Sequence, residues 1–510
     1  MVYGQPPPAK ADPRVSLASV SAVARRASPA QPLRRCPKVG DETSSAAALR
    51  RRPSRYARIL LKPRNRELLG LIPSALLVTA GFTAIFIQQE NSSLTASTNV
   101  TLNRVSSLSL TYGLLFLGLC LAAHLVIRFA LPYADPYLFP LAAVLASVGI
   151  VMVYRINPSL ARQQAQWMVL GLVLFAVTIL WLRRTGIGVL ERYRYTIAAV
   201  GILMAVLPRF PVIGEQVNGS YLDIHFGSVS FQPAELAKVA IVIFLASYLR
   251  DNRQILVTAG RRVLGLTVPP MKQFGPMLVV WGAAMGTLLL TGELGTSLMF
   301  YGAFLALLYV ATGRFSFPLI GLVLFGLGAW FVVSHVGHVH ARVLAWEDPL
   351  EPKLFHSGVS YQLGQSLFAQ ADGGLLGTGF DQSLLVIPHT REAILPVPES
   401  DMIYAVIVNE LGLVGAGALL LTYLLFVARG LKTAMLARDS FSKLLAVGLS
   451  FIIAMQVFVI VGGVTRVIPL TGVTLPFVAY GGSSVVMNFV LLALLLVVSD
   501  RARRPYSSSR

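Results

Sequence analysis

The chain has 510 residues, of which 55% are hydrophobic and only 13% charged, and its formal net charge is +20. A soluble globular protein averages about 45–50% apolar and roughly 25% charged residues, so this chain has too little polar surface for a water-facing fold. The composition therefore excludes a soluble enzyme, a coiled coil and a disordered scaffold, and it predicts a polytopic membrane protein.

A basic segment precedes the first apolar run. Residues 1–67 carry 15 of the 43 Lys and Arg residues against four acidic residues, in a stretch rich in Pro, Ser, Ala and Arg that has no apolar periodicity. This composition predicts a disordered cytoplasmic tail attracted to anionic lipid, with docking to another protein as the alternative. Because the charge borders a membrane segment, we expect no nucleic-acid partner.

Twelve apolar runs follow, and most approach the length of about 20 residues that crosses a bilayer. They are residues 68–87, 108–127, 137–154, 167–182, 195–207, 234–249, 274–290, 295–310, 317–333, 402–427, 444–461 and 475–498. When the loops between them alternate sides, 34 of the 43 Lys and Arg residues fall on the side of the N-terminal tail. The positive-inside rule then predicts twelve transmembrane helices with both termini in the cytoplasm.

One predicted extracytoplasmic loop is far longer than the others. Residues 334–401, between the ninth and tenth runs, mix aromatic, apolar, glycine and proline residues. Loops longer than about 12–15 residues are usually functional or disordered, and this composition differs from that of a flexible linker. We therefore expect the loop to fold against the helix bundle.

Ionisable residues at the edges of apolar runs are candidate functional groups, because each is costly in a membrane unless it is compensated. Glu235 and Lys238 follow Pro233 at the start of the sixth run and share one helix face, either in a functional cavity or as a simple ion pair at the helix start. Asp401 directly precedes the tenth run, where its position suits an N-terminal helix cap and a catalytic carboxylate equally well. Glu410 lies about 13–14 Å deeper on the opposite side of that helix, so we do not expect it to form an acid–base pair with Asp401.

Several motifs resemble those of the FtsW/RodA/SpoVE (SEDS) family, in its order and with its spacing. They are FQPAELAK at 231–238, RV at 342–343, DP at 348–349, YQ at 361–362, QS at 365–366, GGLLGTG at 373–379, Asp401 followed by ELGLVG at 410–415, and IPLTGVTLPFVAYGGSS at 468–484. The resemblance extends from about Tyr137 to Val498. The stretches at 438–445 and 461–466 are most similar to the actinobacterial RodA branch.

The resemblance implies an all-α polytopic membrane fold with a ten-helix core at residues 137–498. The large extracytoplasmic loop, 334–401, then precedes the tenth helix of the chain. Residues 68–136 form two additional N-terminal transmembrane helices, which gives twelve in total, and residues 499–510 form a cytoplasmic tail. Such a protein is expected in the bacterial plasma membrane with its active site on the extracytoplasmic side.

The resemblance also implies a peptidoglycan glycosyltransferase that polymerises lipid II into glycan strands for cell-wall elongation, working with a class B penicillin-binding protein. Asp401 matches the essential aspartate of the family, and we expect it to act as the general base. Glu235 and Lys238 match a conserved pair that lines the family's cavity. The other expected substrate contacts are Arg342, Asp348, Glu410 and Arg466. A divalent cation, Mg²⁺ or Mn²⁺, is expected without assigned ligands.

One departure from the family pattern affects the expected phosphate contacts. The family commonly has an Arg in the turn before the FQP motif, where this chain has Tyr221-Leu222-Asp223, so that contact is absent or is supplied by Arg209 or Arg342. The alternative functions are a lipid II flippase, a septal polymerase of the FtsW type, and a non-enzymatic scaffold. The clustering of the motif acids on the extracytoplasmic side favours polymerisation over transport.

Overall fold

The computed structural model describes residues 64–91, 98–210, 214–217, 220–226, 229–258, 261–263, 266–268, 271–291, 294–380, 382–383 and 394–505. Its helices are α1 Ile72–Asn91, α2 Thr98–Ala130, α3 Leu138–Ile156, α4 Pro158–Thr185, α5 Gly188–Arg192, α6 Arg194–Val206, α7 Ala234–Thr258, α8 Met271–Thr291, α9 Leu294–Thr312, α10 Ser316–His335, α11 Gly337–Glu347, α12 Pro352–His356, α13 Tyr361–Gly373, α14 Ile403–Leu436, α15 Ser440–Val464 and α16 Gly482–Arg503. The strands are β1 Gly214–Val217, β2 Ser220–Phe226, β3 Val229–Phe231, β4 Arg261–Val263 and β5 Leu266–Val268.

Among the described residues, nine helical segments are long and apolar enough to cross a membrane. Every one of the twelve predicted runs overlaps a helix, and the three runs outside this set of nine overlap α6, α7 and α8. The molecule is therefore a multi-pass helical membrane protein, as predicted. The total of twelve crossings stays a prediction.

The predicted tail, 1–67, extends too far towards the first membrane helix. Residues 64–70 are helical and lead into α1. Arg64 and Glu67 form a buried ion pair, and Nδ1 of His124 lies 2.9 Å from Oε1 of Glu67. These charges pair with one another and with α2, so they belong to the helix bundle. The rest of the predicted tail lies outside the described residues.

Irregular and extended segments occur in three places in this mainly helical chain. α16 begins at Gly482, later than expected. The preceding segment, 466–481, contains Pro469, Pro476 and a positive φ of +71° at Gly472, and these features interrupt helical hydrogen bonding. The otherwise helical chain also has a three-stranded antiparallel sheet in the order β1-β2-β3 and a β4–β5 hairpin.

The core of the bundle is formed by α3, α7, α9, α14, α15 and α16, with α16 almost entirely enclosed by α4, α7, α14 and α15. The loop helix α13 packs along α14, where the Asn409 amide donates a hydrogen bond to the Ala369 carbonyl oxygen at 2.7 Å. Ser366 Oγ donates to the carbonyl oxygen of Val464 at 3.0 Å. The described part of the long loop therefore folds against the bundle, as expected.

α14 is interrupted at Gly412, whose φ of +68° and ψ of −174° are not helical. The glycine-rich run 373–379 supplies hydrogen bonds at this break. The amide of Thr378 donates to Asn409 O at 2.9 Å, and the amide of Leu413 donates to the carbonyl oxygen of Gly374 at 3.0 Å. Backbone groups freed by the break are thus paired within the protein, which a membrane environment requires.

The two ends of the family-like core meet at one end of the bundle. The amide of Tyr133 donates to Asp500 Oδ1 at 2.8 Å, and the amide of Asp135 donates to Ser499 Oγ at 2.9 Å. A guanidinium nitrogen of Arg503 lies 2.6 Å from Oδ2 of Asp135. Asp135 and Asp500 are each 1% exposed, so these bonds close a buried polar junction between the start of α3 and the end of α16.

Candidate functional site

Asp401 lies at the end of an irregular segment that contains Pro396, Pro398 and a positive φ of +49° at Val397. α14 begins two residues later, at Ile403, and no side chain caps its first turn. The alternative that Asp401 serves as the helix cap is therefore wrong. Its carboxylate is available for another role.

Another segment of the chain, 466–481, passes beside the Asp401 carboxylate. A Cβ added at Gly472 would lie 3.6 Å from Oδ2 of Asp401, so the segment 466–481 passes directly beside this oxygen. The amide of Tyr480, from the same segment, donates to the Glu399 carbonyl oxygen at 2.8 Å. Ser400 Oγ donates to Oδ1 of Asp401 at 3.4 Å. Gly472 thus forms part of one wall of the site.

Burial raises the pKa of Asp401 to about 6, against opposing effects of the Ser400 hydrogen bond and the positive charge of Arg342, while Glu399 raises it further. Arg342 comes from α11 in the long loop, and burial lowers the pKa of its guanidinium while the Asp401 charge offsets part of that effect. Within the described residues, Nη1 of Arg342 is buried and has no hydrogen-bond partner. The site therefore combines a carboxylate that titrates close to neutral pH with a cation able to bind an anionic group.

Glu235 and Lys238 form the ion pair predicted from their spacing, at the start of α7. Lys238 is 1% exposed, and its Nζ lies 3.0 Å from Gln456 Oε1 on α15 and 3.4 Å from Asn488 Oδ1 on α16. The amide of Gln456 in turn donates to the Thr474 carbonyl oxygen at 2.9 Å. A polar network therefore connects this ion pair to the same segment, 466–481, that borders Asp401.

Arg466 holds the loop helix α11 in place. Its Nε donates to the Trp346 carbonyl oxygen at 2.9 Å, a second guanidinium nitrogen donates to Glu347 O, and the Trp346 indole donates to Arg466 O at 3.1 Å. These bonds fix the end of the helix that carries Arg342. The expected substrate contact of Arg466 is thus accompanied by a structural role that the sequence did not indicate.

The structure places the remaining two predicted contacts apart from this network. Asp348 is exposed at the C-terminal end of α11. Glu410 is buried within α14, where its Oε1 lies 3.0 Å from Nε of Arg155 on α3 and accepts a hydrogen bond from Ser383 at 2.6 Å. An acid–base pair between Glu410 and Asp401 was not expected, and the ion pair with Arg155 gives Glu410 a different partner. Its role as a substrate contact stays a prediction.

Four polar residues of the site were not singled out from the sequence. They are Gln456, Asn488, Thr471 and Thr474. Within the described residues, the hydroxyl oxygens of Thr471 and Thr474 are buried without hydrogen-bond partners, on the segment that borders Asp401. In the sequence, Gln456 and Asn488 are neutral polar side chains inside apolar runs, and Thr471 and Thr474 lie in the motif at 468–484. Neither signal indicates which partner the side chain meets.

Among the described residues, no group of three or more His, Cys, Asp or Glu side chains is arranged to hold a metal ion. The donors present do not fit a metal site built from protein ligands alone. Mg²⁺ is commonly held by one or two carboxylates together with substrate phosphates, and such a shared site requires fewer protein donors.

Comparison with known proteins places this chain among cell-wall proteins. The FtsW/RodA/SpoVE family, described as cell cycle proteins, matches residues 135–504. The peptidoglycan glycosyltransferase RodA of Mycobacterium tuberculosis (strain H37Rv) is 39% identical over 454 residues, covering 87% of this chain and 92% of the relative. Stage V sporulation protein E of Bacillus subtilis is 30% identical over 389 residues, covering 72% and 98%. A chain from a peptidoglycan synthase complex that coordinates polymerization and crosslinking is similar in fold, with a TM-score of 0.58 at 24% identity over 73% of this chain and 99% of that chain.

Proposed function

This chain belongs to the FtsW/RodA/SpoVE family, and on that premise we propose that it is a peptidoglycan glycosyltransferase of the RodA type, which polymerises lipid II into glycan strands for cell-wall elongation. Lipid II is the undecaprenyl-pyrophosphate-linked disaccharide-peptide. The observation that carries the proposal is Asp401, a partly buried carboxylate whose pKa burial raises to about 6 while the positive charge of Arg342 opposes that increase.

The chemistry requires a base and a site for an anionic leaving group. The 4-hydroxyl of the acceptor sugar attacks the anomeric carbon of the donor, a new glycosidic C–O bond forms, and the bond to undecaprenyl pyrophosphate breaks. A sugar hydroxyl is a weak nucleophile, so a positioned general base contributes about 10²–10⁴-fold to the rate. We assign that proton transfer to Asp401. Direct displacement with one base inverts the configuration at the anomeric carbon.

The leaving pyrophosphate requires positive charge and hydrogen-bond donors. Arg342 supplies a buried guanidinium nitrogen that has no partner among the described residues, and Thr471 and Thr474 supply hydroxyl groups on the adjacent segment. Lys238 is already held by Glu235, Gln456 and Asn488, so we assign it to the support of the segment 466–481 as well as to the cavity. A divalent cation, held mainly by the pyrophosphate oxygens, would add Lewis-acid stabilisation.

The topology and the partner belong to the same proposal. The charge bias of the loops supports cytoplasmic termini and an extracytoplasmic Asp401. The fold likeness to a chain of a peptidoglycan synthase complex supports a class B penicillin-binding protein as the crosslinking partner. A polymerase that produces uncrosslinked strands has a chemical need for such a partner at its product.

The substitution Asp401→Asn tests the assignment directly. Asn keeps the shape of the side chain and cannot accept the proton, so polymerisation of purified lipid II in the presence of the partner is expected to fall by at least about 10²-fold. Membrane insertion, thermal stability and partner binding should be retained. The matched control is Asp372→Asn, which changes an exposed carboxylate of the same loop and should leave the rate unchanged.

The possible outcomes separate the rival functions. Near-normal polymerisation by folded Asp401→Asn would refute the base assignment. A scaffold would show no polymerase activity in the wild-type protein. A flippase would move lipid II across a bilayer without an acceptor strand, and a septal polymerase would work with a division-specific partner in place of the elongation partner.

A further inference from the structure

A cavity of about 860 Å³ lies between the two N-terminal helices, α1 and α2, and the first two helices of the family-like core, α3 and α4. α1 and α2 precede residue 135, where the family match begins. Most of the lining is apolar and comes from all four helices, with Val78, Phe116, Ile150 and Met168 as examples. Gly118 also lines the cavity, and a Cβ added there would meet no atom within 4 Å.

One end of this cavity is polar. Tyr112, Tyr154 and Arg162 line it there, and the Phe82 ring packs against both tyrosines with centroid separations of 4.8 Å. Arg162 lies in the second turn of α4 and is exposed. Neither its guanidinium nor the two tyrosine hydroxyls have a hydrogen-bond or ion-pair partner in the part of the chain that the structure describes. The cavity is thus amphipathic, with a cationic, hydroxyl-bearing end and an apolar interior.

Physical chemistry limits what can occupy such a space between membrane helices. Water is excluded from the apolar part because a buried water needs two to four polar partners. The volume falls in the range of about 300–1,000 Å³ that is typical of small-molecule sites. Tyrosine and arginine side chains at the level of lipid headgroups are common anchors for the membrane interface. A hydrocarbon chain with an anionic headgroup satisfies both ends.

We propose that this cavity binds a phospholipid of the bilayer, with an acyl chain between α1–α2 and α3–α4 and its phosphate at Arg162, Tyr112 and Tyr154. One cation matches the single negative charge of a phosphodiester, whereas a pyrophosphate carries more charge than Arg162 balances. Asp401 is absent from the lining, so the site is separate from the proposed polymerase centre. The lipid would contact both helix pairs and so stabilise the packing of α1 and α2 against α3 and α4.

Photolabelling of the full-length protein tests this proposal without reference to enzymatic activity. The protein is reconstituted in phosphatidylcholine vesicles that contain phosphatidylglycerol with a photoreactive acyl chain, and the labelled peptides are identified by mass spectrometry. We expect labels on α2 and α4. Gly118→Leu fills the cavity, and it should reduce these labels by at least about tenfold, since each buried methylene of a lipid chain contributes substantially to binding.

Two further variants make the comparison specific. Gly326→Leu is the matched control, because Gly326 also lies within a helix and faces open space, but on α10, and it should leave the α2 and α4 labels unchanged. Arg162→Ala should lower labelling by phosphatidylglycerol about fivefold, which corresponds to the loss of one cation at an anionic lipid surface, and Arg162→Lys should retain it.

Several results would overturn the proposal. Unchanged labels in Gly118→Leu protein that is folded by circular dichroism would show that no acyl chain occupies the cavity. Equal labelling of wild type and Arg162→Ala would show that the headgroup assignment is wrong. Displacement of the label by added lipid II would assign the cavity to the substrate tail instead of a phospholipid.

Discussion

Asp401 and Arg342 show how one loop and one helix start can create a titratable site at a membrane boundary. Burial raises the pKa of the carboxyl group, and the neighbouring guanidinium limits the increase. A base is most useful when its pKa lies near the working pH, because it is then largely deprotonated and still accepts a proton readily. Neither residue alone would produce this balance.

The pH dependence of polymerisation is the first consequence. The base must be deprotonated, so the polymerisation rate should rise with pH and reach half of its maximum near pH 6. Below that pH, the rate should fall about tenfold for each pH unit. Arg342→Ala removes the charge that lowers the Asp401 pKa, so the midpoint should move to higher pH and the maximal rate should fall. Lys353→Ala, which removes an exposed cation of the same loop, should leave the midpoint in place. A midpoint insensitive to Arg342→Ala would contradict the pairing.

The raised pKa of Asp401 also affects the stability of the folded protein. The folded carboxyl has a pKa near 6 and the reference value is 3.8, so the folded state binds more protons between these values. Stability contributed by the protonated form is therefore lost as pH rises from about 4 to about 6. Asp401→Asn removes this cost, and its melting temperature at pH 7 should equal or exceed that of the wild type.

Lys238 and Glu235 should behave as a structural pair. Lys238→Met leaves a buried carboxylate without its cation, and it should lower the free energy of unfolding by about 3–5 kcal/mol. The double variant Glu235→Gln/Lys238→Met removes both charges and should recover most of this loss. Thermal melts in detergent measure the difference. A single variant as stable as the wild type would show that the pair acts only on substrate.

At the scale of elements, the break in α14 packs closely against the glycine-rich run 373–379. A Cβ at Gly412 would lie 2.4 Å from the Gly377 nitrogen, and a Cβ at Gly377 would lie 2.1 Å from the Glu410 carbonyl oxygen. Each glycine has a positive φ, so each is needed both for its conformation and for the close approach of the other segment. This contact holds the long loop against α14, the helix that Asp401 precedes.

Gly412→Ala should accordingly destabilise the protein by about 2–5 kcal/mol, through backbone strain and displacement of the 373–379 run. Gly417→Ala is the matched control on the same helix, since a Cβ there meets nothing within 4 Å. It should be neutral or stabilising by up to about 1 kcal/mol. Similar melting temperatures for both variants would show that the contact between Gly412 and the run 373–379 accommodates a side chain without loss of stability.

At the scale of the whole molecule, the boundary of the tail can be located by deletion. Removal of residues 1–60 should leave lipid II polymerisation and thermal stability unchanged. Removal of residues 1–67 also deletes Arg64 and Glu67, which leaves the buried His124 without its carboxylate, and should cost roughly 1–3 kcal/mol of stability. Loss of turnover by the shorter deletion, in folded protein, would identify the tail as an activator.

The sequence predicted the helices well because a run of some 20 apolar residues has few alternatives in a membrane. It predicted the Glu235–Lys238 pair because both members lie on one helix turn. It could not predict that Gln456 and Asn488 would meet Lys238, since these partners are more than 200 residues away along the chain. The start of α16 was misplaced for a related reason, because hydropathy does not register the break at 466–481.

The junction between Asp135 and the end of α16 has a consequence for biosynthesis. Its hydrogen bonds and ion pair join residues 364–368 positions apart in the chain. At about 5–20 residues per second, a ribosome needs roughly 20–70 s to make that stretch. Asp135 is therefore synthesised that long before its partner Arg503. A chain halted by a premature stop before α16 would keep the Arg429 contact of Asp135, at 3.8 Å, but would lack the closer Arg503 partner and the Ser499 hydroxyl. An incomplete chain would therefore differ from a finished one by a less completely paired carboxylate at this junction.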